Sequence, residues 1–366
     1  MGISVNTKIY YYVFCFLFLV ISVDSEDKIN IIFRNIQEII TKKEIKDLIK
    51  NEKKPVMYWG TAPTGRVHVG YYIPMIKISD FVRAGFKVKI LIADLHAHLD
   101  DLKTPWALLK YRSKYYELCV RAMLKSIGVN LKHVEFVYGS SFQLESNYSR
   151  DLLRLSAIIT LNRSRRAASE VVRFKDDPKL GGFIYPLMQV LDVPYLKADV
   201  AFGGIDQRGI YMLAREILPE IGYKKPICVF NPMLPGLTGE KMSASVKKSK
   251  IDLLDSEKDV EIKVNSAYCP QGIVEKNGIL AFVKHVIFPI KKDKNLTFLI
   301  ERPEKFGGNI DYKEYSELEK DYKNQLIHPL DLKRAIIREI NALLKVVRNE
   351  FIGKKELVEK AYPEEA

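Results

Sequence analysis

The stretch V-M-Y-W-G-T-A-P-T-G-R-V-H-V-G-Y, from Val56 to Tyr71, decides the fold of this chain. It opens with a short apolar run that predicts a buried strand, and a helical pattern follows from about Val69 to Ala84. A helix that begins directly after such a turn presents unpaired N–H groups and a positive dipole end, which favour phosphate. The turn itself carries small residues that let a ligand approach the backbone, namely Gly60, Ala62, Gly65 and Gly70.

Strand and helix patterns keep alternating in the next part of the chain. Residues 87–93 and 134–138 predict buried strands, and Thr104 with Pro105 predicts the N-cap and first turn of a helix that Gly128 ends. This alternation is typical of an α/β fold with a doubly wound, parallel, Rossmann-like sheet. In such a sheet, ligands bind at the carboxyl ends of the strands.

The pattern changes after about residue 255, where the chain reads mainly as helices. Four segments carry this pattern, over residues 259–267, 280–286, 312–326 and 329–351. We therefore predict an N-terminal extension over residues 1–25, an α/β domain over 26–254 and a C-terminal α-helical domain over 255–366.

Composition bears on the partner of this protein. The 366 residues include 58 Lys and Arg against 45 Asp and Glu, a formal net charge of +13 that favours an anionic partner such as nucleic acid. A solvated, lysine-rich surface explains the charge equally well. The four cysteines form no C-x-x-C pair, which fits a reducing compartment and argues against a zinc knuckle.

The N-terminus contains a nearly unbroken apolar run from Ile9 to Val23 that follows Lys8. Its length is typical of a signal peptide and short for a transmembrane helix, so we expect no stable membrane association. Secretory or organellar targeting and an upstream extension absent from the mature protein both remain open. The expected location of the mature protein is the cytoplasm.

A second glycine-flanked segment, G-L-T-G-E-K-M-S-A-S, runs from Gly236 to Ser245. Such a loop can close over a triphosphate and concentrate positive charge on departing pyrophosphate. Together, in this order and spacing, the two segments resemble the HIGH and KMSKS signatures of class I aminoacyl-tRNA synthetases. The resemblance implies ATP as cosubstrate with Mg²⁺, catalytic roles for His68, Lys241, Ser243 and Ser245, and an ATP site at Gly60, Thr61, Ala62, His68, Gly70, Gly204, Asp206 and Lys241.

Two positions depart from these signatures. Ala244 stands where many class I enzymes have a second lysine, so the cation that substitutes for it is open among Lys241, Lys247, Lys248 and a metal ion. The first signature ends in Tyr71 where the general motif has histidine, which fits the tyrosyl subgroup.

A third segment, Y-P-L-M-Q-V-L-D-V-P-Y-L-K-A-D-V-A-F-G-G-I-D-Q-R from Tyr185 to Arg208, is similar to the amino-acid pocket of eukaryotic and archaeal tyrosyl-tRNA synthetases. The resemblance implies that Tyr58 and Asp192 bind the substrate hydroxyl. It also implies that Tyr185, Gln189 and Gln207 hold the ammonium and carboxylate of tyrosine. By the same resemblance, Ala93 and His96 lie beside its ring.

A buried carboxylate and phenol around one hydroxyl provide a physical reason for selecting tyrosine. Phenylalanine would leave Asp192 and Tyr58 without their partner, a loss of several kcal/mol for which tyrosyl-tRNA synthetases are themselves the standard example. Taken alone, Asp192 could equally be a helix cap or a surface carboxylate.

The stretch A-D-L-H-A-H-L-D-D, from Ala93 to Asp101, has a second interpretation. His96, His98 and Asp100 would share one face if the preceding strand continued, as in a metal site. Strand alternation or capping of a helix accounts for the same residues, and we predict no protein-bound metal.

Two elements of the helical domain resemble the anticodon-reading elements of the same family: K-F-G-G-N over residues 305–309 and H-P-L-D-L-K over 328–333. The resemblance implies that Phe306 stacks on the first anticodon base, while His328 and Asp331 hydrogen-bond it. By local pattern alone, the second element is simply the start of a helix.

The resemblance further implies a homodimer whose interface lies in a connective segment of about residues 142–175. Its arginines at 163, 165 and 166 could meet the acceptor stem of tRNA or could be solvated. The predicted function is tyrosyl-tRNA synthesis through a tyrosyl-adenylate. The alternatives are a tryptophanyl-tRNA synthetase, a catalytically silent RNA-binding or secreted derivative, and a small-molecule adenylyltransferase.

Overall fold

The computed structural model describes residues 25–52, 54–172, 174–233, 235–237 and 250–365. Over the first part of the chain the strands and helices alternate as the sequence predicts. In order, they are α1 (Ser25–Phe33), β1 (Glu38–Ile40), α2 (Lys42–Asn51), β2 (Val56–Thr61), α3 (Tyr72–Arg83), β3 (Lys87–Ile92), α4 (Asp94–Leu99), α5 (Leu109–Ser126), β4 (Val134–Tyr138), α6 (Ser146–Ile158), α7 (Leu161–Ala168), α8 (Gly181–Tyr195), β5 (Val200–Gly204), α9 (Arg208–Ile217) and β6 (Ile227–Asn231).

Helices dominate the remainder of the chain. The elements are α10 (Glu257–Ser266), α11 (Gly278–Phe282), a π-helical turn (Val283–Ile287), α12 (Phe288–Asp293), β7 (Phe298–Ile300), β8 (Ile310–Tyr312), α13 (Tyr315–Lys323), α14 (Pro329–Glu350) and α15 (Lys355–Ala361). No helix within the described ranges is long and apolar enough to cross a membrane.

The central sheet has six strands in the order β1-β6-β5-β2-β3-β4. The pairs β6-β5, β5-β2, β2-β3 and β3-β4 are parallel, whereas β1 pairs with β6 in antiparallel fashion. This mostly parallel, Rossmann-like sheet confirms the predicted α/β class. The sequence did not indicate β1, because a three-residue strand is too short to show a period.

Side-chain alternation along β2 divides the apolar core between the two faces of the sheet. Met57 and Trp59 belong to a cluster that includes α3, α5 and the long C-terminal helix α14. Tyr58 belongs to a second cluster with α8 and α9. The residue that we expect to bind substrate therefore faces away from the helical C-terminal part.

One local prediction was wrong, and two helices differ from the prediction in detail. Thr104 does not cap a helix, because its hydroxyl donates to the carbonyl of Pro63 at 2.7 Å, and a 3₁₀ turn over Trp106–Leu108 precedes α5. The helix predicted over 280–286 is present, but it changes from α11 to the π-helical turn within that range. The helix predicted over 312–326 is α13, which is shorter, because residue 312 ends β8.

Candidate active site

A cavity of about 360 Å³ opens at the carboxyl ends of β2 and β5, where a parallel sheet is expected to bind its ligand. It gathers predicted residues that are far apart in sequence. Those that line it are Tyr58, Gly60, Thr61, Ala62, His68, Gly70, Ala93, His96, Tyr185, Gln189, Asp192, Gly204, Asp206 and Gln207.

His68 lies at the start of the short 3₁₀ turn Val69–Tyr71, just before α3. Its Nδ1 accepts a hydrogen bond from the backbone N–H of Gly70 at 3.2 Å, so the ring proton lies on Nε2. Burial, followed by the nearby charge of Lys250, lowers the pKa of His68 to about 3. At neutral pH, His68 is therefore an uncharged donor that lines the cavity.

Asp192, on α8, is buried and has two different carboxylate oxygens. Oδ1 accepts hydrogen bonds from Gln143 Nε2 at 2.7 Å and from the Tyr148 hydroxyl at 3.0 Å. Oδ2 is buried and has no hydrogen-bond partner in the part of the chain that the structure describes. The ionisable ring of His96 lies beside it, with Nε2 3.7 Å away and beyond hydrogen-bond distance.

Burial raises the pKa of Asp192 to about 7, although the hydrogen bonds from Gln143 and Tyr148 act in the opposite direction. The pKa of His96 falls to about 4, chiefly because the ring is buried, so His96 is neutral at pH 7. A neutral imidazole does not compensate the charge of Asp192. The carboxylate therefore keeps an unused acceptor inside the cavity, a costly arrangement unless a ligand supplies a donor.

Tyr58, on β2, is buried, and its hydroxyl donates to the hydroxyl of Tyr211 on α9 at 3.0 Å. Burial raises its pKa well above the usual value, with further contributions from Tyr211 and Asp192, so the phenol stays neutral. Gln189, one turn before Asp192 on α8, donates from Nε2 to Gln207 Oε1 at 2.9 Å. The cavity thus contains a phenol, a carboxylate and two carboxamides.

Three residues of this arrangement escaped the sequence analysis. Gln143 and Tyr148 hold Oδ1 of Asp192, and Tyr211 holds the hydroxyl of Tyr58. None belongs to a recognisable motif, because each acts through a contact between elements that are distant in sequence. A weak signal for Tyr211 was its place on the helix that directly follows the third segment.

The two histidines of α4, His96 and His98, have different surroundings. The metal interpretation required the preceding strand to continue through them, and it does not. The strand ends at Ile92 and a helix follows, so the residues do not alternate as in a strand. His96 packs edge-on against Tyr185 in the cavity, with ring centroids 4.7 Å apart. The Nδ1 of His98 instead lies 3.1 Å from the carbonyl of Thr104, and its ring packs on Trp106.

The second signature falls largely outside the described residues, which exclude 238–249 and therefore Lys241, Ser243 and Ser245. The segment that follows is described and lies against the first signature. Val69 N donates to the carbonyl of Ile251 at 2.9 Å, and His68 pairs with Asp252 in an isolated antiparallel bridge.

Arg302 connects the first predicted anticodon element to Leu326, two residues before the second element. Its Nε donates to the carbonyl of Gly308 at 3.0 Å and its Nη1 to the carbonyl of Leu326 at 2.8 Å. Phe306, in the first element, is 61% exposed. His328 caps α14 through Nδ1, which accepts from Leu330 N at 3.2 Å, and Asp331 lies in the first turn.

Comparisons with known proteins give the class and then the family. A family model described as tRNA synthetases class I (W and Y) matches residues 50–345. This match agrees with the fold and the site, so the chain is a class I tRNA synthetase. A tyrosine–tRNA ligase of Haloarcula marismortui is 47% identical over 341 residues, 93% of this chain and 98% of that protein. A cytoplasmic tyrosine–tRNA ligase of Saccharomyces cerevisiae is 48% identical, over 93% of this chain and 89% of that protein.

Similarity also extends to a solved structure. Tyrosyl-tRNA synthetase from Archaeoglobus fulgidus, complexed with L-tyrosine, is 41% identical and superposes with a TM-score of 0.84 over 89% of this chain and 99% of that one. The chain belongs to the tyrosine–tRNA ligases.

Proposed function

We propose that this enzyme activates L-tyrosine with ATP to tyrosyl-adenylate and transfers the tyrosyl group to tRNA(Tyr) for protein synthesis. The observation that carries the proposal is the unused oxygen Oδ2 of Asp192, buried in a cavity that also contains the hydroxyl of Tyr58. A phenolic hydroxyl can donate to Oδ2 of Asp192, and it can accept from Tyr58 once that hydroxyl turns its proton from Tyr211 to the ligand. An indole N–H can only donate, and phenylalanine can do neither.

The remaining groups of tyrosine have partners in the same cavity. Gln189 and Gln207 offer amide oxygens for the ammonium and amide hydrogens for the carboxylate, and Tyr185 adds a hydroxyl. Their mutual hydrogen bond of 2.9 Å holds the two carboxamides side by side before substrate arrives. Ala93 and His96 lie along the ring. Together these residues fix tyrosine with its carboxylate towards the first signature.

Activation then needs no side-chain nucleophile. A carboxylate oxygen of tyrosine attacks the α-phosphorus of ATP, a new P–O bond forms, and the bond to the β-phosphate breaks to release pyrophosphate. The small residues of the first signature admit the nucleotide, with Gly204 and Asp206 near its ribose. The neutral Nε2–H of His68 donates to phosphate charge as it grows, without the desolvation cost of a second cation.

The second signature completes the phosphate site in this proposal. Lys241, Ser243 and Ser245 act on the departing pyrophosphate, and Mg²⁺ arrives with the nucleotide. Mg²⁺ usually binds through substrate phosphates, waters and one or two carboxylates. The ion would neutralise phosphate charge that the chain's own cations leave exposed.

His68→Ala tests the assignment of the first signature. We expect the rate of tyrosine-dependent pyrophosphate exchange to fall about 100-fold, while the KM for tyrosine changes little, because His68 acts on phosphate and not on the amino acid. Equal exchange rates for variant and wild type would defeat the assignment. Exchange with tryptophan in place of tyrosine, measured in parallel on the wild type, tests the amino-acid specificity.

The helical part, residues 255–366, is proposed to read the anticodon while residues 26–254 catalyse. Exposure of Phe306 leaves its ring available for stacking on a base. The link through Arg302 holds the Phe306 turn beside the segment that carries His328 and Asp331. Phe306→Ala should raise the KM for tRNA(Tyr) about tenfold, as loss of one stacked base predicts, and leave pyrophosphate exchange unchanged.

We infer a homodimer through the connective segment. Large apolar side chains are exposed on and beside α6 and α7, which is unusual for a surface that faces water. They are Leu144, Leu153, Ile158, Leu161 and Leu180. Sedimentation at micromolar concentration should give twice the mass of the chain, and a monomer mass would exclude this interface.

We also propose that Arg165 and Arg166, on the same segment, contact the acceptor stem of tRNA(Tyr).

The cytoplasm is the proposed location, by analogy with the yeast relative, whose name includes it. The apolar run at the N-terminus lies outside the described residues. Mass spectrometry of the native N-terminus tests the proposal: retention of the first 25 residues or their removal distinguishes an extension from a cleaved leader.

A further inference from the structure

The segment Lys250–Leu253 follows the second signature in sequence and pairs with the backbone of the first. Val69 N donates to the carbonyl of Ile251 at 2.9 Å, and Leu253 N donates to the carbonyl of Val67 at 3.1 Å. These two bonds flank His68, whose backbone faces Asp252 across the bridge. Any displacement of the segment that follows the second signature therefore acts on the backbone of His68.

Lys250 holds the near end of this segment from inside the protein. Its side chain is only 2% exposed, and Nζ lies 2.9 Å from Oδ1 of Asp252. The same ammonium donates to the carbonyl of Arg66 at 3.5 Å. A buried ammonium needs nearby carboxylate and carbonyl oxygens. Lys250 has one of each, so its side chain connects the bridge residue Asp252 to Arg66 of the first signature.

Asp255 holds the far end of the segment. One of its carboxylate oxygens, Oδ2, accepts from Asp252 N at 2.8 Å and from Lys263 Nζ at 2.5 Å. Its carbonyl accepts from Arg348 Nε, on α14, at 2.8 Å. Among the described residues, the contacts of the Lys250 side chain are the ones nearest in sequence to the second signature. Removal of this side chain would release the Lys250 end of the segment and leave the contacts of Asp255 intact.

The position of Lys250 also bears on the missing lysine of the second signature. Ala244 removes one cation from the phosphate site, and the sequence offered Lys241, Lys247 and Lys248 as substitutes. Lys250 was not among them, because nothing in the sequence distinguishes it from its neighbours. It is buried beside His68 and does not line the cavity, so it serves by holding other groups in place.

We propose that Lys250 is a positioning residue for adenylate formation, which holds the segment Lys250–Leu253 in place and thereby sets the orientation of His68 through the pairing of His68 with Asp252. This inference rests on the proposed function, since it assigns a task within tyrosine activation. Lys250 acts on phosphate chemistry at a distance from the tyrosine pocket. Its loss should therefore change the rate of activation and leave tyrosine binding intact.

The test compares Lys250→Met, Asp252→Asn and the double variant with wild type in tyrosine-dependent pyrophosphate exchange. Lys291→Met is the control, because Lys291 forms a partly buried ion pair of the same length, 2.9 Å, with Glu339 in the helical part. We expect Lys250→Met to lower kcat about 10- to 100-fold and to leave the KM for tyrosine within about twofold. The double variant should lose less than the product of the single losses, since the two residues act as a pair.

Several outcomes would overturn the inference. One is a kcat for Lys250→Met within about twofold of wild type; another is an equal loss in the Lys291→Met control. If Lys250→Met does not fold, Lys250→Gln and Lys250→Arg replace it, and equal kcat values for these two would refute a role for the charge. An inactive wild type would refute the proposed function instead, so the two failures are distinguishable.

Discussion

Substitution of Asp192 by asparagine tests the physical basis of tyrosine recognition, because it separates the charge of this residue from its shape. In the free enzyme burial raises the pKa of Asp192 to about 7, compared with about 3.9 in an unfolded chain. At pH 8 the carboxylate is ionised in both states, and its burial costs the folded state about 4 kcal/mol, at 1.36 kcal/mol per pH unit.

The sign of the pH dependence follows from proton binding. Between about pH 4 and pH 7 the folded protein holds a proton on Asp192 that the unfolded chain has released, so stability falls as pH rises through this window. Asp192→Asn removes this dependence. Its amide hydrogens gain no acceptor at the former Oδ2 position, which costs about 1–3 kcal/mol. We therefore expect the free variant to be about 1–3 kcal/mol more stable than wild type at pH 8.

Urea unfolding of the ligand-free proteins at pH 8 and pH 5 measures this effect. The amide cost cancels between the two pH values, so the advantage of the variant should shrink by about 3 kcal/mol at pH 5. In pyrophosphate exchange, the same variant should lose most of its preference for tyrosine over phenylalanine. An advantage that does not depend on pH, or an unchanged preference between the two amino acids, would refute the assigned role of Asp192.

Three further perturbations probe contacts around the site. Tyr148→Phe removes a donor to Asp192 and should raise the KM for tyrosine about tenfold in exchange assays, as expected for one hydrogen bond to a charged group; an unchanged KM would contradict this. Arg302→Ala should raise the KM for tRNA without changing pyrophosphate exchange, and a loss of exchange would argue against a role confined to tRNA. Arg34→Met removes a partner of Asp80 and Asp293, but Lys77 still lies 2.8 Å from Asp80, so the free energy of unfolding in urea titration should fall by about 1–3 kcal/mol. Lys292→Met, which breaks an exposed pair, should change it by less than about 1 kcal/mol.

The fold was predictable where a periodic pattern was long enough to read. The apolar runs of β2, β3 and β4 and the long stripe of α14 each gave an element of the correct type. Prediction failed where a residue had a tertiary alternative. The hydroxyl of Thr104 bonds the turn at Pro63 and does not start a helix, and a contact of this kind leaves no local signature.

The sequence by itself determined the class of chemistry, because the two signatures and the segment from Tyr185 to Arg208 are local strings whose residue types suit phosphate and amino acid. Only the tertiary structure decided how those residues act. It joined Gln143 and Tyr148 to one oxygen of Asp192 and left the other unpartnered within the described chain. It also placed Lys250 behind His68. Burial and long-range contacts set these charges and hydrogen bonds, and both arise only when distant segments pack together.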